Sequence, residues 1–215
     1  MTSSPIQALL LDLGGVILDI HYDRTLQAFR NLGFHEIEKW YDGYRQTGIF
    51  DDFEEGRLSS EAFLDTLSQY CPQAQKQQIL EAWNAMLGRV PPWHVQGLQT
   101  LRKSLPVYLF SNTNDLHYRQ FQKDFRADFG FDLSDLFEIP FYSHLLGLRK
   151  PKTEAFQKVA SLAGIRPEAT LFMDDNPGHI AGAQKAGFQT YWLDPASGRN
   201  FLDILAEMGI GLQKK

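Results

Sequence analysis

Five short apolar runs, at residues 8–11, 107–110, 139–142, 170–173 and 190–193, alternate with longer stretches in which apolar residues recur at helical spacing. Runs of this length, bounded by turn residues, read as strands buried on both faces. Their alternation with amphipathic helices predicts an α/β fold, a parallel sheet with helices on both sides. About ninety residues separate the first two runs, far more than a crossover helix needs, so an inserted module is predicted there.

That module, residues 19–90, shows helical periodicity and no clear strand. Asp23 is placed to cap a helix carrying Leu26, Phe29 and Leu32 and ending at Gly33. Ser59 or Ser60 is placed to cap a second through Phe63, Leu64 and Leu67. A longer helix is expected over 73–87, stopped by Gly88 and Pro91-Pro92. The remainder, 1–18 and 91–215, forms the sheet-bearing core. Residues 44–53 are expected to overhang the carboxyl edge of the sheet, where open α/β folds bind ligands. There Trp40, Tyr41, Tyr44, Phe50 and Phe53 either stack on a sugar or, more commonly for such residues, pack the helices.

Polar residues at the ends of the runs carry the candidate chemistry. Ala169-Thr170-Leu171-Phe172-Met173 breaks into Asp174-Asp175-Asn176-Pro177-Gly178, and Leu9-Leu10-Leu11 into Asp12-Leu13-Gly14-Gly15-Val16. Carboxylates at the edge of a core need a partner, and a hard divalent cation with oxygen ligands is a usual one. Val107-Tyr108-Leu109-Phe110 leads to Ser111-Asn112-Thr113-Asn114, a cluster suited to capping a helix or holding an anion. Leu146-Gly147-Leu148-Arg149-Lys150-Pro151 sets a cation just before another helix. Singly, each is ordinary turn chemistry or a solvated lysine.

In this order the four segments resemble the motifs of the haloacid dehalogenase superfamily, in the branch of small-molecule phosphatases whose Rossmann-like core carries a helical cap after the first strand. They look most like its bacterial glucose-1-phosphate phosphatase subgroup. The resemblance covers nearly the whole chain. It implies that Asp12 is the nucleophile forming an aspartyl-phosphate, that Ser111 supplies a phosphate-binding hydroxyl, and that Lys150 neutralises the crowded carboxylates. Backbone N–H groups of Leu13, Gly14 and Gly15, together with Asn112, are expected to line the phosphate site. Mg²⁺ is the implied cofactor, held by Asp12, the Gly14 carbonyl and Asp175, with Asp174 orienting a water on the metal instead of touching it.

One position departs from the superfamily's common pattern. Its phosphatases usually carry a second Asp two residues after the nucleophile as acid and base; here that residue is Gly14, as in the resembled subgroup. Asp19, His21 and His117 are the nearby candidates for the missing proton donor. His144 and His179 have no metal-spaced partner and receive no role. The main expectation is a phosphatase for a small phosphorylated metabolite, such as a sugar phosphate. The alternatives are a dehalogenase-type hydrolase, disfavoured by Asp174-Asp175, and a non-catalytic phosphometabolite-binding protein. Carbon–phosphorus hydrolysis would need a substrate-linking lysine, and Lys39 and Lys76 lie in no clear motif.

Composition narrows the partners. A net charge of −5 gives no nucleic-acid footprint. Cys71 is the one cysteine, which excludes an intrachain disulfide and a thiolate zinc site. No apolar run nears membrane-spanning length and no basic segment precedes an apolar stretch at the N-terminus, so a cytoplasmic protein without membrane contact is expected.

Overall fold

In the computed structural model, which describes residues 4–41 and 48–211, the five apolar runs are strands. They are β1 (Ala8–Leu11), β2 (Val107–Ser111), β3 (Pro140–Tyr142), β4 (Thr170–Asp174) and β5 (Gln189–Trp192). All neighbours pair in parallel in the order β3-β2-β1-β4-β5. Between β1 and β2 lie α1 (Tyr22–Asn31), α2 (Ile37–Trp40), α3 (Ile49–Glu54), α4 (Ser60–Ser68), α5 (Lys76–Asn84) and α6 (Pro92–Leu101). Later in the chain come α7 (Asp115–Phe129), α8 (Ser143–Leu146), α9 (Thr153–Ala163), α10 (Pro177–Lys185) and α11 (Phe201–Glu207).

Successive strand residues point to opposite faces, and both faces are covered. Leu9, Leu11, Leu109 and Met173 pack with Leu98 of α6, Phe121 of α7 and Phe201 of α11. Leu10, Phe110 and Phe172 pack on the other side with Phe156 of α9 and Ala183 of α10. This two-sided burial is why the strands read as unbroken apolar runs.

Helices α1–α5 have an apolar cluster of their own, built around Phe29, Phe50, Phe53, Phe63 and Trp83, which also takes in Leu116 of α7. Phe53 stacks on Phe63 with ring centroids 4.2 Å apart. The choice left open for the aromatic residues therefore falls to packing for Phe50 and Phe53, while Tyr44 lies outside the described residues. Ser59 is the cap of α4, its hydroxyl accepting from Ala62 N at 3.2 Å. Two expectations are corrected. The helix expected over 73–87 is Lys76–Asn84, opened by a capping box of Gln75 with Gln78. Asp23 is not a cap but lies in the first turn of α1, where a carboxylate meets the positive end of the helix dipole.

The chain enters and leaves α1–α5 through two connections that bond to each other. His21 N donates to Met86 O (2.8 Å) and Gly88 N to Asp19 O (2.9 Å). Any Cβ at Gly88 would lie 2.7 Å from Asp19 O, so this approach requires glycine. Among the described residues, no helix is long and apolar enough to cross a membrane.

Candidate active site

Strand order puts β1 between β2 and β4, so the loops leaving their carboxyl ends converge at the edge where such sheets bind ligands. Leu11 is in register with both Leu109 and Met173, and Asp12 N donates to Met173 O at 3.0 Å. Asp12 and Asp174 thereby meet at one level of the sheet, with Ser111 one residue further along β2. Asp12, Leu13, Gly14, Ser111, Asn112 and Asp175 line one cavity, which α1–α5 roof with Tyr22, Tyr41, Glu54 and Met86.

Lys150 is not a surface lysine. It is fully buried, its Nζ lying 2.7 Å from Asp12 Oδ1 and 2.6 Å from Asp174 Oδ2. Asn112 clamps its backbone from both sides: Asn112 Nδ2 donates to Lys150 O and Lys150 N donates to Asn112 Oδ1, each at 2.9 Å. Burial alone would lower the Lys150 pKa, but the two carboxylates outweigh it and raise it, so the ammonium stays charged.

The adjacent acids of β4 divide sharply. Asp174 is fully buried and saturated: besides Lys150, its Oδ1 accepts from Asn176 N (2.8 Å) and His179 Nδ1 lies 3.0 Å away. Burial pushes its pKa up, yet Lys150 and His179 prevail and hold it at about 2. Asp175 turns the other way, onto the loop after β1. A Cβ at Gly15 (φ +73°) would sit 2.2 Å from Asp175 Oδ2, so the glycine is needed both for its backbone angle and to let the carboxylate lie on the turn. Burial, with the charges of Asp12 and Asp174, raises the Asp175 pKa to about 7. Asp12 is raised to about 6, chiefly by burial and against Lys150.

Two crowded acids with elevated pKa values signal a deficit of positive charge, and a divalent cation would supply it. The residues present fit Mg²⁺: carboxylate oxygens from Asp12 and Asp175, and the Gly14 carbonyl, the Leu13 carbonyl being taken by Ile17 N and Leu18 N. Ligand atoms of Asp12, Asp174 and His179 also lie within 4.8 Å of one another. That grouping suits a cation less well, because Asp174 is already engaged by Lys150 and His179 Nδ1 is turned to Asp174.

Of the proton-donor candidates, His117 lies in the cavity wall but has no free nitrogen. Its Nε2 contacts Trp83 O (3.0 Å), its Nδ1 contacts Asn114 Nδ2 (3.1 Å), and burial lowers its pKa to about 4. His21 and Asp19 are not among the lining residues. Gly14 has no positive φ; a Cβ there would lie 3.1 Å from Ile20 Cγ1, so an apolar side chain fills the space of the usual acid. Sequence reasoning missed His179 in the wall, and also Tyr22, Glu54 and Arg149. Burial and the neighbouring Asp175, Asp12 and Glu54 charges raise the Tyr22 pKa, so its hydroxyl keeps its proton and remains a donor.

A family model described as haloacid dehalogenase-like hydrolase matches residues 6–187. The chain belongs to that family. It is 34% identical over 187 residues to a D-ribitol-5-phosphate phosphatase of Bacteroides thetaiotaomicron, covering 86% of this chain and 91% of the relative. Among solved structures, a haloacid dehalogenase family enzyme of the same organism, in complex with magnesium and inorganic phosphate, superposes with a TM-score of 0.87 at 32% identity, over 93% of this chain and 98% of that one. A predicted family hydrolase of Porphyromonas gingivalis gives 0.86 at 29% identity, over 95% and 98% of the two chains. The protein is thus a hydrolase, and the relative that is 34% identical to it over most of its length is a phosphatase.

Proposed function

We propose that the protein is a Mg²⁺-dependent phosphomonoesterase for a small phosphorylated metabolite, a sugar or polyol phosphate, working through an aspartyl-phosphate on Asp12. The observation that carries this reading is the division of charge at the strand ends. Lys150 satisfies Asp12 and Asp174, while Asp175 lies on the glycine turn with its pKa raised by burial and by the charges of Asp12 and Asp174. The phosphatases and the magnesium-and-phosphate complex among the relatives support it. Residues 19–90 are assigned the part of a cap whose α1 and α3 face the phosphate site with Tyr22 and Glu54.

In the first step an Asp12 carboxylate oxygen bonds to phosphorus and the ester P–O bond breaks, its electron pair leaving with the alcohol oxygen, which takes up a proton. In the second step a water oxygen bonds to phosphorus and gives up a proton to solvent, the P–O bond to Asp12 breaks with its electron pair returning to the carboxylate, and inorganic phosphate departs. Ser111 and the N–H groups of Leu13 and Gly14 hold the equatorial oxygens, and Lys150 balances charge on Asp12 throughout; the Gly15 N–H, expected to share that task, instead donates to Leu18 O at 2.9 Å. The metal, when bound, neutralises the phosphoryl oxygens against the nucleophile. Gly14 leaves the alcohol without the usual acid, and Tyr22 offers the cavity a donor that keeps its proton. Asp175, which does not pair with Lys150, has no evident use in metal-free displacement at carbon, which sets the dehalogenase reading second.

The test is hydrolysis of a phosphometabolite panel with and without Mg²⁺, on wild type and Asp12→Asn. Metal-dependent release of phosphate from polyol or sugar esters, lost in the variant, is expected, with a phosphoryl mass mapped to Asp12. A label on another residue, or turnover retained by Asp12→Asn, would overturn the assignment.

A further inference from the structure

The cation that precedes Lys150 is held by the far side of the cavity. Arg149 leaves the core and places its guanidinium against α3, pairing with Asp51 through Nη1 and with Glu54 through Nε, 3.0 Å from Oε2. Three residues later Lys152 pairs with Glu55, whose side chain is 2% exposed. Asp51 and Glu54 are three residues apart and share one helical face, which is why a single guanidinium meets both. The segment 149–152 thus alternates: its outer cations hold α3, and Lys150 between them holds Asp12 and Asp174.

The contact also has a steric partner. Gly56 follows α3 with φ +68°, and a Cβ there would lie 2.2 Å from the backbone oxygen of His144 in α8, the helix that leads into the same segment. Burial of Glu54 and Glu55 is unfavourable for charged groups unless cations meet them, and Arg149 and Lys152 are such cations. Seating of α3 and placement of 149–152 are therefore one equilibrium, and each must bias the other to the same extent.

We infer that Arg149 is a positioning residue: through Asp51 and Glu54 it makes the setting of Lys150 depend on the cap being seated. A cap that swings away on the paired connections at 19–21 and 86–88 breaks these ion pairs and leaves the segment held from the core side only, by Asn112 on its backbone and by Asp12 and Asp174 on Lys150. Lys150 is then less closely set against Asp12, so turnover is favoured in the closed state. For its kinetic consequence the inference rests on the phosphatase reading; its structural part does not.

The experiment compares the full-length wild type with Asp51→Asn/Glu54→Gln, both substitutions lying in α3. Hydrogen–deuterium exchange is followed at the amides of Gly147, Lys150 and Lys152, which are bonded to Ser143 O, Asn112 Oδ1 and Arg149 O. On the same preparations kcat and KM are measured with a sugar phosphate that wild type hydrolyses. The expected result is at least tenfold faster exchange in this segment, with a tenfold or greater fall in kcat and a smaller change in KM. Wild-type exchange in the variant would overturn the inference, and a fall in activity without faster exchange would mean that the acids touch substrate instead. Faster exchange in a protein that shows no phosphatase activity at all would uphold the coupling and sink the function. Should the double variant not fold, Asp51→Asn alone, at a side chain 35% exposed, carries the same test.

Discussion

The joint between α5 and α7 should make stability depend on pH in a way that one histidine controls. His117 is buried, stacks on Trp83 at 4.6 Å and is fixed as a neutral ring: Nε2–H donates to Trp83 O, and Nδ1 accepts from Asn114 Nδ2. A second proton would set two donors face to face at Nδ1. Turning the Asn114 amide to relieve this would remove the Oδ1 that caps α7 at His117 N and accepts from Trp83 Nε1. Burial accordingly lowers the pKa from 6.5 to about 4. Below pH 6.5 the unfolded chain binds a proton that the folded one refuses, so this contribution is whole at neutral pH and drains away as pH falls towards 4. At ~1.36 kcal/mol per pH unit the gap amounts to about 3 kcal/mol.

Urea unfolding of wild type and His117→Gln between pH 4 and 8 measures this. Glutamine can keep one donor for Trp83 O and one acceptor for Asn114, so the variant should fold, with a loss of about 1 kcal/mol from the missing ring stacking. Its curve should be flatter than wild type by ~1.36 kcal/mol per pH unit between about pH 4.5 and 6. The raised carboxylates Asp12 and Asp175 titrate in both proteins and cancel in the difference. Parallel curves would show that His117 is protonated in the folded protein and that the tautomer assignment is wrong.

Two further outcomes address the chemistry. Asp175→Asn should weaken Mg²⁺ activation at least tenfold more than Asp174→Asn, which should instead lower melting temperature by stranding Lys150 and His179; metal titration and thermal unfolding of both variants check this, and the reverse order would move the metal to Asp174. Gly14→Asp should gain little alone because Ile20 occupies the space, whereas Gly14→Asp/Ile20→Ala should speed esters with poor leaving groups by roughly 10–100-fold, part of the range for a general acid; rates across esters of graded leaving-group pKa decide it, and an equal gain in the single variant would refute the steric argument.

The strands were legible because a parallel sheet covered on both faces leaves continuous apolar runs, and the site because charge at the end of such a run demands a partner. What stayed hidden depends on contacts across long sequence separations. Nothing around Arg149 announces Asp51 and Glu54, about a hundred residues earlier, and nothing around Gly14 announces that Ile20 fills the space beside it. His179 was passed over for lack of a metal-spaced neighbour, although its real partner is Asp174, five residues back across the first turn of α10. The shortened α5 reflects Gln75 and Gln78 capping each other, a local competition that apolar periodicity does not register.

The unequal fates of Asp174 and Asp175 follow from where β4 ends. Asp174 is its last residue and keeps the strand's alternation, on the same face as Phe172, whereas Asp175 lies in the bend beyond it. Asp174 continues β4 and points where Lys150 arrives between the rings of Phe110 and Phe172, its Nζ 5.4 Å from each centroid. In so apolar a setting the ammonium needs a fixed anion, and Asp174 is that anion whether or not a metal is bound. Asp175 is thereby released from structural duty, and its backbone oxygen is pinned by Trp192 Nε1 at 2.8 Å while its side chain rests on Gly15. One acid sets the lysine, and on the proposed reading the next is left to meet a cation. On that reading the doublet performs two tasks that a single aspartate could not, and this division follows once the end of β4 is known.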